Sequence, residues 1–316
     1  MNALSKTIFK KHWPLLFVAL YWPLIYFLGG LRSDHFVTGA VIILLWYTGI
    51  WPRRISKFLA PLLLTGILYD SQRFYSDYIR GPIHVTEPYR FDKYFFGIHS
   101  AGNVLTPNEW FQLHTLPFLD IVTGFFYLTF IAIFILISAY FQFWLTKKGT
   151  SKFKPDEMKS QAPRVMWSFF WVNMLGYTTY YWYAAAPPWY VALYGLGPAR
   201  MDVGPNSAGC IRFDQALGTH FFSEMYGRSA DVFGAIPSLH VAYPFLAMVY
   251  AFRFRSLRAF STFFYMIMCF SAVYLNHHYI LDIIWGTAYS IIIMKLVDLW
   301  YERRYERRYE RHKLAA

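Results

Sequence analysis

The sequence predicts an all-α, polytopic membrane protein of about eight transmembrane helices. Three observations predict it. Charged residues are only 15% of the 316-residue chain and hydrophobic residues 56%, whereas soluble domains carry about 25% charged residues. Apolar runs near the roughly 17–25 residues that cross a bilayer as a helix recur along the whole length. Aromatic residues reach 22%, and Trp and Tyr crowd the run ends as in interfacial belts.

The runs cover about 13–31, 36–51, 56–72, 118–145, 165–186, 238–253, 259–276 and 280–300. The first follows Lys6, Lys10 and Lys11 and lacks a small-residue cleavage site, so it reads as a retained span and not a cleaved signal. The third is the least apolar. Its uninterrupted stretch, Phe58 to Tyr69, is short and holds Pro61. Charge decides for it: with eight spans, 21 of the 30 Lys and Arg fall on one side, 8 on the other, and Lys295 within the last span. Without the third span, the six basic residues between Lys147 and Arg164 would change sides. The positive-inside rule therefore places both termini in the cytoplasm. A net charge of +12 would suggest nucleic acid in a soluble protein; here it reflects basic cytoplasmic loops. Cys210 sits in a long loop and Cys269 in an apolar run, which excludes a disulfide or metal pair.

The chemistry is carried by two strings, Pro237-Ser238-Leu239-His240 and His277-His278-Tyr279-Ile280-Leu281-Asp282, each opening an apolar run. Both fall on the non-cytoplasmic face, which also receives the long connections at 70–117 and 187–236, rich in Pro, Gly, Tyr and Trp and read as folded caps. The spacing of His278 and Asp282 puts them on one helix face. A carboxylate there fixes one imidazole tautomer and makes the ring a better nucleophile, leaving His240 free to move protons. That is phosphoryl-transfer chemistry calling for no metal and no cofactor. Pro237 and Ser238 suit a helix start whose free N–H groups bind anions. His277, one position off the Asp282 face, is read as a packing or head-group contact. The last stretch, Tyr301 to His312, repeats every four residues and reads as a solvated helical extension.

Pro-Ser-x-His followed by His-x-x-x-Asp resembles the type 2 phosphatidate phosphatase superfamily of lipid phosphatases and phosphotransferases. The resemblance implies His240 as general acid/base, His278 as nucleophile and Asp282 as its orienting carboxylate. Two phosphate clamps of the superfamily's hydrolases are missing: no Arg-Pro pair occurs, and Ser271 is followed by Ala272 where an arginine is expected. Several strings are instead similar to the inositol phosphorylceramide synthases, in matching order over residues 70–290. These are Tyr78-Ile79-Arg80-Gly81-Pro82-Ile83-His84-Val85, Thr106-Pro107-Asn108-Glu109, Ala186-Pro187-Pro188-Trp189-Tyr190, Ala208-Gly209-Cys210-Ile211-Arg212-Phe213-Asp214, Phe233 to His240, and Asn276-His277-His278-Tyr279.

That resemblance implies two accessory helices in 1–54, a six-helix phosphotransferase core in 55–300 and a basic cytoplasmic tail in 301–316. The activity implied is transfer of phosphoinositol from phosphatidylinositol to ceramide or dihydroceramide, with a phospholipid donor and a ceramide-type acceptor as the partners. Arg212 and Arg80 are the candidates to replace the missing clamps, with Ser238 and His277 beside the phosphate. The length and the lack of an Asn-x-Ser/Thr sequon fit a bacterial inner membrane better than the Golgi. The same residues with water as acceptor would give a lipid phosphate or pyrophosphate phosphatase. A channel or transporter is disfavoured, since no internal repeat is evident.

Overall fold

The computed structural model describes residues 3–227 and 231–315; the side chains of 3–11, 28, 29, 34 and 305–315 lie outside that description. The chain is all-α, and it divides into two compact units, Met1–Phe74 and Tyr75–Ala316. The first holds α1 (Ala3–Gly29), α2 (Ser33–Tyr47) and α3 (Ile50–Ser71). The expected division at 54/55 falls inside α3, which the structure groups with α1 and α2. The reason is electrostatic. Asp70 near the end of α3 is held by Arg32 at 2.6 Å, Arg73 at 2.8 Å and the buried His35 at 2.9 Å, which ties α3 to the start of α2.

In the second unit, the 70–117 connection folds into α4 (Ser76–Ile79), strand β1 (Ile83–His84), α5 (Thr86–Phe96), the hairpin β2 (Ile98–Ser100) and β3 (Asn103–Leu105), and α6 (Pro107–Leu113). α6 starts with a capping box in which Thr106 accepts from the Glu109 N–H and Glu109 from the Thr106 N–H. α7 (Pro117–Ala139) continues through a π-helical turn at Tyr140–Leu145 into α8 (Thr146–Lys148). α9 (Pro155–Gln161) and α10 (Pro163–Trp182) follow, then strand β4 (Ala184–Ala185) and α11 (Pro188–Tyr194). The rest of the 187–236 connection contributes α12 (Ile211–Leu217) and α13 (Phe221–Tyr226). The chain closes with α14 (Leu239–Phe254), α15 (Arg258–Tyr274) and α16 (Ile280–Ala315).

α14 is the hub, packing against α7, α10, α15 and α16. Its sequence is apolar on every side, as a helix enclosed by others requires, and Val241, Ala242, Leu246, Ala247, Tyr250, Ala251 and Phe254 are all fully buried. One end of the bundle is stapled by Asp298 of α16, which pairs with Arg164 of α10 at 2.7 Å and Arg253 of α14 at 2.6 Å.

The eight apolar runs coincide with α1, α2, α3, α7, α10, α14, α15 and α16. Among the described residues, two helical stretches are long and apolar enough to cross a membrane, Pro117–Lys148 and Ile280–Arg304, and four shorter apolar stretches lie in α1, α2, α14 and α15. α3 and α10 fall outside both groups. α3 carries Arg53, Arg54, Lys57 and Asp70, and α10 is diluted by Asn173, Thr178, Thr179 and a run of Tyr and Trp. The four-residue tail period falls on α16, but its side chains from 305 onward lie outside the described residues.

Candidate active site

The sequence around His278 builds a turn before it builds a site. α15 ends at Tyr274, and Asn276 takes a left-handed conformation (φ 61°), which Asn tolerates better than most residues. The Asn276 N–H then bonds the Val273 carbonyl at 3.0 Å and the His277 N–H the Ala272 carbonyl at 3.1 Å. This is a Schellman ending, with asparagine where glycine is commonest. His278 follows, its N–H also on Ala272 O at 3.0 Å.

α16 begins only at Ile280, so His278 and Asp282 do not share a helix face as the spacing suggested. Asp282 is the third residue of the helix and reaches back over its start. One carboxylate oxygen, Oδ2, accepts from the Tyr279 N–H at 2.9 Å and sits 3.2 Å from Nδ1 of His278. This is the carboxylate half of a capping box. The Ala235 carbonyl lies 3.0 Å from the same Nδ1. Two acceptors at one nitrogen assign the proton to Nδ1 and leave a lone pair on Nε2. That Nε2 is 3.2 Å from Nδ1 of His240. Asp282 is fully buried, and no described group hydrogen-bonds its other oxygen, Oδ1.

Ala235 is delivered by a small parallel ladder. β1 pairs with β4, Ile83 opposite Ala184 and His84 opposite Ala185, and Ala185 bridges to Gly234. Two of the strings singled out in the sequence therefore meet in one ladder, and a third, which begins at Ala186, joins it through the Ala186 N–H on the His84 carbonyl at 3.0 Å. The Trp189 N–H of the third bonds the Asn276 carbonyl at 3.1 Å. His240, in the first turn of α14, is stacked on Tyr127 (4.4 Å, 12°) and flanked by Phe130 (4.7 Å, 37°), residues one turn apart on α7. Ser238 is fully buried; its N–H bonds the Asp282 carbonyl at 2.9 Å, while its hydroxyl has no hydrogen-bond partner among the described residues.

The remaining predicted residues are brought near these turns but are already engaged. His277 lies between the rings of Tyr127 (5.1 Å) and Tyr226 (4.7 Å), with Nε2 on the Ser207 carbonyl at 3.1 Å and Cys210 Sγ at 3.2 Å. Burial pushes its pKa down to about 3, so the ring is neutral, and burial pushes the Cys210 thiol well up, so that group is neutral too. Arg212 pairs with Asp120 at 2.6 Å and gives further bonds to Gln112 and the Tyr274 carbonyl. Asp214, its neighbour in sequence, caps α13 instead through the Phe222 and Ser223 N–H groups. Arg80 is buried between Asp231 at 2.9 Å and Asp77 at 3.0 Å. Among the described residues, no group of three or more His, Cys, Asp or Glu is placed to hold a metal ion. Cys210 and Cys269 are free thiols.

A family model described as the PAP2 superfamily matches residues 103–296, more than half of the chain, including His240, His278 and Asp282. The chain belongs to the PAP2 superfamily. Over 266 residues, 83% of each chain, it is 35% identical to the phosphoinositol dihydroceramide synthase of Bacteroides thetaiotaomicron. It is 32% identical to the inositol phosphorylceramide synthase catalytic subunits of Schizosaccharomyces pombe and Saccharomyces cerevisiae over 126 residues, 40% of this chain and 30% and 31% of theirs. No solved structure matches.

Several groups that shape this PAP2 site were not found from sequence. Asp92 of α5 is fully buried, and its two oxygens accept the Ile280 N–H at 2.7 Å and the Leu281 N–H at 3.0 Å. Burial raises its carboxyl to about 7, against the lowering effect of those two donors. Asn108 of α6 bonds the Val273 and His278 carbonyls. Gly286 carried a readable signal, because glycine inside a helix costs about 1 kcal/mol relative to alanine and marks a close approach. A Cβ there would collide with the Ser238 carbonyl oxygen, so glycine lets α16 cross the start of α14.

Two outcomes follow from this geometry. Gly286→Ala must push α16 off Ser238 and part the two histidines; turnover should fall roughly 10- to 100-fold, as about 1 Å of misplacement does elsewhere, and unchanged turnover would show that the crossing is slack. For Asp92, an ordinary carboxyl is ionised by pH 5. Infrared spectra should instead show a protonated carboxyl at pH 6 that ionises by pH 8 and vanishes in Asp92→Asn.

Proposed function

We propose that this protein is a membrane phosphotransferase that moves phosphoinositol from phosphatidylinositol to ceramide or dihydroceramide and releases diacylglycerol. The observation that carries the reading is the Asp282–His278–His240 relay, which aims an unprotonated Nε2 at a second histidine. Membership of the PAP2 superfamily supports it, as do the names of the bacterial and fungal relatives, which are phosphoinositol dihydroceramide and inositol phosphorylceramide synthases.

In the proposed cycle the donor phosphate enters between the two rings. Nε2 of His278 attacks phosphorus, the bond from phosphorus to the glycerol oxygen breaks, and His240 supplies the proton that oxygen needs. Asp282 stays ionised and stabilises the positive charge on the substituted imidazole. The acceptor hydroxyl then loses its proton to His240 and attacks phosphorus, breaking the P–N bond and restoring Nε2. Two displacements give net retention at phosphorus. Arg212 and Arg80 are proposed as nearby cations whose carboxylate partners keep them in place for the non-bridging oxygens. Ser238, whose hydroxyl has no hydrogen-bond partner among the described residues, is proposed as a hydrogen-bond donor to the phosphate. His277, held neutral, is proposed to line the head-group side without adding charge.

The eight helical runs are proposed as eight spans with both termini cytoplasmic, the site on the outer face of a bacterial inner membrane, and the cap segments over it. In this reading the catalytic core runs to about residue 300, the N-terminal helices are accessory, and 301–316 is a basic cytoplasmic tail.

The test is purified full-length protein in micelles with phosphatidylinositol and dihydroceramide. An inositol-bearing sphingolipid and diacylglycerol should form in equal amounts, with or without chelator. His278→Ala and His240→Ala should each lower the rate about 10³-fold or more while melting normally. Release of water-soluble inositol phosphate without the sphingolipid would contradict the transferase reading.

A further inference from the structure

Every peptide group around His278 is anchored from outside its own helix. The 277–278 peptide gives its N–H to the Ala272 carbonyl. The 278–279 peptide gives its carbonyl to Asn108 Nδ2 at 3.0 Å. The 279–280 and 280–281 peptides give their N–H groups to the two oxygens of Asp92. The first N–H groups of a helix have no partner within it; here a carboxylate 188 residues away in sequence accepts two of them. A negative charge also suits the positive end of the helix. The second Asn108 proton goes to the Val273 carbonyl at 3.0 Å, so one amide spans the end of α15 and the turn before α16.

The two side chains belong to a joined bracket. Tyr89 of α5 donates to Glu109 of α6 at 3.0 Å, and Lys93 donates to Tyr89 at 3.0 Å. Asp92 and Asn108 are 0% and 1% exposed, so their bonds face no competition from water. Neither hydrogen-bonds an imidazole; both hold the backbone from which His278 projects.

We propose that Asp92 and Asn108 are positioning residues for the transfer: together they fix the peptides flanking His278, so that Nε2 points at the space before His240. This rests on the reading of His278 as the nucleophile. It assigns the α5–α6 cap a mechanical part in the reaction beyond covering the site.

The experiment compares full-length wild type, Asp92→Asn, Asn108→Ala and His278→Ala in micelles with phosphatidylinositol and dihydroceramide, with the exposed-loop variant Asp202→Asn as control. Asp92→Asn and Asn108→Ala should lower kcat roughly 10- to 100-fold with KM for either lipid within about threefold, the signature of lost alignment and not lost binding. Folded variants with kcat within about twofold of wild type would overturn the proposal. Should a variant fail to fold, amide exchange on the wild-type chain decides. Ile280 and Leu281 N–H should exchange as slowly as helix interiors, although first-turn amides ordinarily exchange fast; exchange at loop rates would overturn the bracket. Turnover retained by His278→Ala would instead sink the nucleophile assignment and leave the exchange result standing.

Discussion

Everything at this site depends on where one proton sits. An imidazole with free choice of tautomer presents its lone pair at either nitrogen, and only one of them faces the second histidine. Here the Ala235 carbonyl and the Asp282 carboxylate both converge on Nδ1 of His278, at 3.0 and 3.2 Å. The proton is thereby confined to the inner nitrogen, and Nε2 is left as the lone-pair nitrogen on the His240 side. The left-handed Asn276, the Schellman bonds, the reach of Asp282 over its helix start and the ladder that presents Ala235 all bear on that one contact.

The architecture that satisfies this constraint uses helix ends and not helix faces. Helix termini leave backbone donors and acceptors unpaired, so they are where side chains from distant segments can take hold. α14 brings His240 in on its first turn, α15 and α16 meet at the His278 turn, and Gly286 allows α16 to pass close to Ser238. The stacked Tyr127 holds the His240 ring in plane, so the two imidazoles face each other with little rotamer freedom to lose. Around them the charges come in pairs: Arg212 with Asp120, Arg80 with Asp231 and Asp77. Such pairing holds a guanidinium in place in a poorly hydrated setting at the cost of part of its attraction for phosphate.

The meeting of His240, His278 and Asp282 was legible because the three are packed into two short strings, and the helices at the eight runs because apolar length is a local property. The same i,i+4 spacing was legible as proximity but misleading as geometry: whether Asp282 shares a helix with His278 turns on where the helix starts, which the Asp92 bonds and the Schellman turn decide. Asp92 was not singled out, since its partners are backbone N–H groups that no residue pattern marks. Arg80 and Arg212 were legible as cations, and Asp77 is close enough in sequence to be read as a partner of Arg80, but their other partners, Asp231 and Asp120, lie 151 and 92 residues away. The sequence reading put the third run with the 55–300 core, whereas the end of α3 is held through Asp70 by side chains on two stretches, 32–35 and 70–73, a contact that apolar patterning does not mark.

The central claim is that Nε2 of His278 carries the phosphoryl group. The most direct measurement is to omit the acceptor, quench the wild-type protein with labelled phosphatidylinositol at neutral to alkaline pH, and locate the adduct by mass spectrometry and nitrogen NMR. The account predicts an acid-labile inositol phosphate on Nε2 of His278. Label on His240, or on Nδ1, or no adduct despite turnover, would contradict it.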